Sequence, residues 1–219
     1  SYVNSTASTI TPFIVSLDGG RVYDATRDVA AGVLTIGTLV NGERLTLSGT
    51  GILTGTKDVG DNKTFDINTL ALGNGTGLAS NYTLVGGART ADITRATIST
   101  VSGITATDKT YDANDTAALV TSGATFNGMF TGDVLNVATS TGVFNNARAA
   151  IGKTVSISGI TLGGTDAGNY TLTTSTASTT ATINPYAVTV TALSQTKAYD
   201  STTSVTSSAL NTGYSVSSM

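Results

Sequence analysis

The chain has 219 residues, a formal charge of −3 and neither Cys nor His, which excludes disulfides, thiolate or zinc-thiolate chemistry and imidazole acid–base catalysis. Its 11 Lys and Arg residues are scattered singly, so there is no electrostatic footprint for a phosphate backbone and nucleic acid is not an expected partner. Charged residues make up only 11%, hydrophobic residues 39% and aromatics 6%, which points to small cores of Val, Ile, Leu and Ala beneath a hydroxyl-rich surface.

In chain order, residues 1–10 read as the tail of a preceding repeat, because Ser5 to Thr9 and Ile10-Thr11-Pro12 echo Ser175 to Thr179 and Ile183 to Pro185. No apolar run reaches the ~18 residues of a membrane span, so membrane insertion is not expected. The N-terminus lacks the pattern of a signal peptide, and any export signal is expected outside this sequence. A first full repeat is expected over 11–94. It carries Arg21-Val22-Tyr23-Asp24, a segment Asp24 to Ala31 where a helical turn is expected, Asn41-Gly42-Glu43-Arg44-Leu45, Gly60 to Phe65, and Asn81-Tyr82-Thr83-Leu84. A second full repeat is expected over 95–185, with Lys109-Thr110-Tyr111-Asp112, Thr131-Gly132-Asp133-Val134-Leu135, Gly152 to Val155, Asn169-Tyr170-Thr171-Leu172 and the exit Ala181 to Pro185. Residues 186–219 read as the start of a third copy, which reaches Lys197-Ala198-Tyr199-Asp200 and stops before most of it is written. Tyr23, Tyr111 and Tyr199 are separated by equal steps of 88 residues, and so are Tyr82 and Tyr170. A fixed period of this kind is the signature of a tandem array.

Alternation of period two dominates, as in Tyr186-Ala187-Val188-Thr189-Val190-Thr191, which predicts a half-buried antiparallel strand. The expected class is therefore all-β, with each copy of about 88 residues an immunoglobulin-like antiparallel sandwich in a rod of repeats. A β-grasp-like module is the alternative, weakened by the lack of an amphipathic helix. In both copies the apolar parity switches within one strand. Phe65 and Ile67 are odd and Leu70 and Leu72 even, as Val155 and Ile157 are odd and Ile160 and Leu162 even. A bulge or kink near Asn68 and Gly159 is the expected cause. Gly73 to Gly77 and Gly163 to Gly168 read as loops.

The combination Lys109-Thr110-Tyr111-Asp112, Gly132-Asp133-Val134, Gly152-Lys153-Thr154-Val155, Gly159-Ile160-Thr161-Leu162, Asp166 to Leu172 and Ala181-Thr182-Ile183 resembles the YDG-type repeats of large bacterial exoproteins, the filamentous-haemagglutinin-like adhesins exported by two-partner secretion. Residues 94–185 carry the likeness well and 10–93 more loosely. The resemblance implies an extracellular or cell-surface location and a role in adhesion or biofilm. Ala25, Ala113 and Ser201 stand where the family tends to carry Gly, which predicts that the turn after Tyr-Asp does without a positive φ here.

No catalytic, cofactor-binding or metal residue is assigned, and no cofactor is expected. The Tyr-Asp pairs are read as structural: a ring in a small core and an acid tying a turn. Three other groups are weighed. Lys109, Asn169 and Asp112 are the trio to test for an intramolecular isopeptide bond, though Arg21 replaces the lysine in the first copy. Asp108, Asp112, Asn114 and Asp115 offer oxygens for Ca²⁺. Glycosylation sequons fall at Asn4, Asn62, Asn74, Asn81, Asn114 and Asn169, with strand burial arguing against Asn81 and Asn169. The expected function is a spacer that projects a binding region, with neighbouring repeats as partners. A self-assembling filament joined by strand addition and a direct glycan- or protein-binding module are the alternatives, and an enzyme is not expected.

Overall fold

The structure, a computed structural model, describes residues 10–192, 198–203 and 214–216. Residues 1–9 of the expected tail, with the sequon Asn4, and Lys197 of the third tetrad lie outside the described residues. Among those described, regular structure consists of β-strands and four three-residue 3-10 turns, Ala31–Val33, Val40–Gly42, Ala79–Asn81 and Ala167–Asn169, with no α-helix. The all-β expectation holds. No helix among them is long and apolar enough to cross a membrane.

The sheets are mixed, which departs from the antiparallel expectation. In the first repeat a six-stranded sheet runs in the order Asp28–Ala30, Thr50–Leu53, Gly60–Asp66, Arg89–Thr94, Leu17–Val22, Leu34–Ile36. Arg89–Thr94 pairs antiparallel with Gly60–Asp66 but parallel with Leu17–Val22. In the second repeat a five-stranded sheet repeats the scheme. Ala177–Asn184 pairs antiparallel with Ala150–Gly163 and parallel with Lys109–Thr110. Two further parallel pairs, Phe13–Ile14 with Tyr82–Thr83 and Ala96–Ile98 with Tyr170–Leu172, also match across the copies. In each repeat the strand leading to the Tyr-Asp turn therefore lies beside the exit strand and runs in the same direction.

Both copies kink where parity predicts. Asn68 has φ +45° and Gly159 φ +64°. Burial follows, with Phe65 and Leu70 buried in one copy and Val155, Ile157 and Ile160 in the other. A second irregularity recurs opposite the exit strand, between Ala91 and Ile93 and between Ala150 and Lys153, beside Asn62 at φ +51° and Gly152 at φ +62°. Such bulges add twist and curl a sheet.

Three further expectations need correction. Gly73 and Asn74 end the strand Ala71–Asn74, paired with Leu45–Ser48, and Gly163 ends Ala150–Gly163, so the two expected loops start later than the glycines suggest. Asp24 to Ala31 is a side-chain-tied turn followed by the strand Asp28–Ala30, and the 3-10 turn starts only at Ala31. The β-branched Val29, fully buried, suits a pleat better than a helix. Tyr186 to Thr189 is not a strand. Pairing starts at Val190, and Tyr186 and Val188 are exposed.

The chain forms two compact units. Of the described residues, the first comprises 10–102, 124–139 and 160–175, and the second 103–123, 140–159 and those from 176 onward. The first unit thus holds the whole first repeat together with one part of the second, and its buried residues include Leu17, Tyr23, Leu53, Phe65, Ile93, Ile98 and Tyr170. The second unit has its own core of Ala117, Phe144, Val155, Ala181 and Ile183, against which Tyr111 packs half-buried.

Candidate interface between consecutive repeats

Each Tyr-Asp landmark is a turn built the same way. The Asp carboxylate accepts the backbone N–H two residues on: Thr26 to Asp24 at 2.9 Å, Asn114 to Asp112 at 3.1 Å, Thr202 to Asp200 at 3.0 Å. This is the Asx-turn geometry. The following residue is left-handed in every copy, with φ +62° at Ala25, +65° at Ala113 and +61° at Ser201. The expectation that no positive φ is needed is therefore overturned: the geometry stays although the glycine is gone, at a steric cost of ~1 kcal/mol or more per residue.

The basic residue two places before the tyrosine closes the turn. Arg21 reaches Asp24 at 2.6 Å and the Thr26 carbonyl at 2.8 Å, with its Nε buried and unpartnered. Lys109 donates to Asp112 at 2.9 Å, to the Asn114 carbonyl and side chain at 2.9 and 2.8 Å, and to the Thr116 carbonyl at 3.1 Å. Two of the four residues weighed for Ca²⁺, Asp112 and Asn114, thus already hold an ammonium, while Asp108 accepts the Thr182 N–H at 2.7 Å. Among the described residues no group of three or more acidic, His or Cys side chains could hold a metal. Of the isopeptide trio, Lys109 and Asp112 bond each other within the second unit, and Asn169 bonds Asp58 and Val59 within the first.

The tyrosine ring has a further role, seen within the first compact unit. Tyr23 is 1% exposed, and its hydroxyl donates to Asp133 Oδ2 at 2.8 Å. Tyr170 donates to the same oxygen at 2.6 Å, and Lys57 forms an ion pair with Oδ1. The Asp133 side chain is fully buried. A lone carboxylate there would be costly, and two phenols and an ammonium compensate it. The rings interlock edge to face, Tyr23 to Tyr170 at 5.6 Å between centroids and Tyr23 to Phe130 at 6.0 Å, with Lys57 Nζ 5.5 Å from the centre of the Tyr23 ring. Alongside, Asn169 accepts the Val59 N–H at 3.0 Å and donates to Asp58 at 2.9 Å. Tyr23, Lys57, Asp58 and Val59 belong to the first repeat, and Phe130, Asp133, Asn169 and Tyr170 to the second.

Charge states follow. Burial alone would raise Asp133, but the hydrogen bonds from Lys57, Tyr170 and Tyr23 outweigh it and hold the carboxyl below its ordinary value. Burial, with Asp133 adding to it, raises both Tyr23 and Tyr170. The hydrogen bond to Asp133 raises Lys57. The hydrogen bond from Asn169 lowers Asp58.

The Tyr-Asp and Asn-Tyr landmarks were visible in the sequence, whereas Lys57, Asp58 and Phe130 were not singled out there. Asp133 stood in a matched segment whose acid recurs as Glu43 and in the Gly132-Asp133-Val134 of the resemblance, but neither signal gave it a partner. Asn169 is buried as expected, at 4% exposure, but Asn81 is exposed, which overturns the argument against it as an acceptor.

A family model, the YDG domain, matches the chain twice, over residues 6–91 and 94–180. The two matches begin 88 residues apart, the spacing of the tyrosines. Neither the curated proteins nor the solved structures yield a match.

Proposed function

Because the chain belongs to the YDG domain family, we propose that it works as structural spacer repeats of a bacterial surface or secreted adhesin, projecting a binding region rather than binding a ligand itself. The observation that carries this is the joint in which Tyr23 and Lys57 of one repeat close on Asp133 of the next. A spacer must transmit position and load between successive repeats, and a fixed, buried cluster at the junction resists bending far better than a free linker. The few aromatics support the same reading, since Tyr23 and Tyr170 are committed to the joint and no Trp is available for stacking on sugars.

The test is to place the chain between a membrane anchor and a head of known binding on a bacterial surface. Capture of target-coated beads should exceed that given by a Gly/Ser linker of equal length, and Asp133→Asn should reduce the gain. Saturable binding of the isolated chain to a glycan or matrix protein, tighter than about 1 mM, would instead establish a direct binding module.

A further inference from the structure

The first repeat carries a counterpart of the receiving face that the second repeat uses at the joint, and among the described residues nothing covers it. Val40-Asn41-Gly42-Glu43 is the counterpart of the turn Phe130-Thr131-Gly132-Asp133, with Asn41 left-handed at φ +50° where Thr131 is not. The Glu43 N–H donates to the Val40 carbonyl at 3.0 Å and the Asp133 N–H to the Phe130 carbonyl at 3.2 Å, with Gly42 at φ +71° and Gly132 at φ +94°. Tyr82 donates to Glu43 Oε2 at 2.5 Å as Tyr170 donates to Asp133. Asn81 ends the 3-10 turn Ala79–Asn81 as Asn169 ends Ala167–Asn169.

Among the described residues the two faces also differ in what covers them. Asp133 and Asn169 are buried under Tyr23, Lys57, Asp58 and Val59, whereas Glu43 is half-exposed and Asn81 exposed. Beside them lies a cavity of about 460 Å³ bounded by Phe13, Val40, Glu43, Asn81 and Tyr82. Its apolar wall is unusually bare, with Ile10 97%, Phe13 48% and Val40 44% exposed. The aromatic wall is conserved in kind but moved. Where the second copy has Phe130 and Ala96, the first has Val40 and Phe13, and Phe13 presents its ring to Tyr82 edge to face at 6.0 Å. One ring contact is lost on one side and one is supplied on the other.

We propose that this cavity is a seat for the Tyr-Asp turn of a further YDG repeat, placed ahead of the first repeat in the same chain. That repeat's tyrosine would donate to Glu43, and the two residues matching Asp58 and Val59 would engage Asn81. In-chain placement follows from the filled joint, where the plug lies on the repeat that precedes the socket in sequence. The proposal deepens the spacer reading by naming the repeat's partner.

Two experiments test it. The chain has no cysteine, so Ser80→Cys, at an exposed position lining the cavity, supplies a unique thiol and leaves Asn81 in place. Fusing a duplicate of residues 11–94 ahead of Thr11 should slow maleimide labelling of that thiol at least tenfold, and replacing the duplicate's Tyr23 by Ala should restore the rate. Equal rates with and without the duplicate overturn the proposal. Slowing that grows with concentration in the unextended chain assigns the seat to a second molecule and overturns the in-chain placement. Independently of any added repeat, the seat can be grafted onto the existing joint with Ala96→Phe, Phe130→Val and Asp133→Glu. The Val59 amide should then keep its hydrogen-exchange protection within tenfold, and loss of protection to the level of Asp133→Ala overturns the claim that the two faces are equivalent. These results leave the spacer reading untouched, because ligand capture is measured on the chain without extension.

Discussion

Tyr23 donates its phenolic hydrogen bond to Asp133, 110 residues further along the chain. The bond joins a turn at the end of one repeat's entry strand to an acid on the following repeat, and it makes the landmark tyrosine part of a junction as well as part of a core. Its counterpart Tyr111, on the second compact unit, packs half-buried against the core of Ala117, Phe144, Val155, Ala181 and Ile183.

Removing the acid should open the joint. In Asp133→Asn the volume is kept, but Lys57 loses its counter-ion and two phenols lose a charged acceptor. Breaking a buried pair by neutralising one member costs on the order of 3 kcal/mol. Urea denaturation followed by a probe in the first compact unit should show that loss. Tyr23→Phe, which deletes one hydrogen bond to a charged group, should cost about 1.5–3 kcal/mol. A loss below about 0.5 kcal/mol in Asp133→Asn, the range of ordinary surface changes, would mean that the cluster does not hold the repeats together.

Stability should fall on both sides of a broad plateau. Asp133 has a folded value below its unfolded one, about 3.9. The unfolded chain therefore takes up protons first as pH drops, and this contribution is present above about pH 4 and lost as pH falls through the folded value. Tyr23, Tyr170 and Lys57 are raised, so their contribution is present below about pH 10 and lost as pH rises through their folded values. Urea midpoints between pH 3 and pH 11, each taken relative to Asp133→Asn, should draw closer together toward both extremes. A difference that stays constant with pH contradicts the assignment.

Equivalent asparagines should answer differently to the same change. Asn169 is buried with two bonds across the joint, and Asn169→Ala should cost about 1–3 kcal/mol by leaving Asp58 and the Val59 amide short of partners. Asn81 is exposed, and Asn81→Ala should stay within about 0.5 kcal/mol. Similar losses at the two positions would show that the joint does not distinguish them.

What the sequence revealed and what it hid divide along physical lines. Parity along Phe65 to Leu72 and Val155 to Leu162 records which face each side chain takes, so the kinks at Asn68 and Gly159 were legible from apolar spacing alone. The all-β class followed from the same alternation. Parallel pairing of Leu17–Val22 with Arg89–Thr94 was not legible, because a half-buried strand shows the same period whichever way its neighbour runs. Lys57 was invisible for another reason. A lone lysine between glycine-rich turns ordinarily points to solvent, and only the fold brings Asp133 to it from 76 residues away.

The turn after Tyr-Asp stores strain that one substitution should release. Ala113 sits at φ +65° with its neighbours tied by Asp112 and Lys109, so the backbone cannot relax to a better region without breaking those bonds. An L-residue pays about 1–2 kcal/mol there, while glycine pays nothing sterically and about 0.5–1 kcal/mol in extra unfolded-state entropy. Ala113→Gly should therefore stabilise the second compact unit by about 0.5–1 kcal/mol, seen as a higher urea midpoint with an unchanged slope. A lower midpoint would mean that the left-handed turn is not what Lys109 and Asp112 enforce.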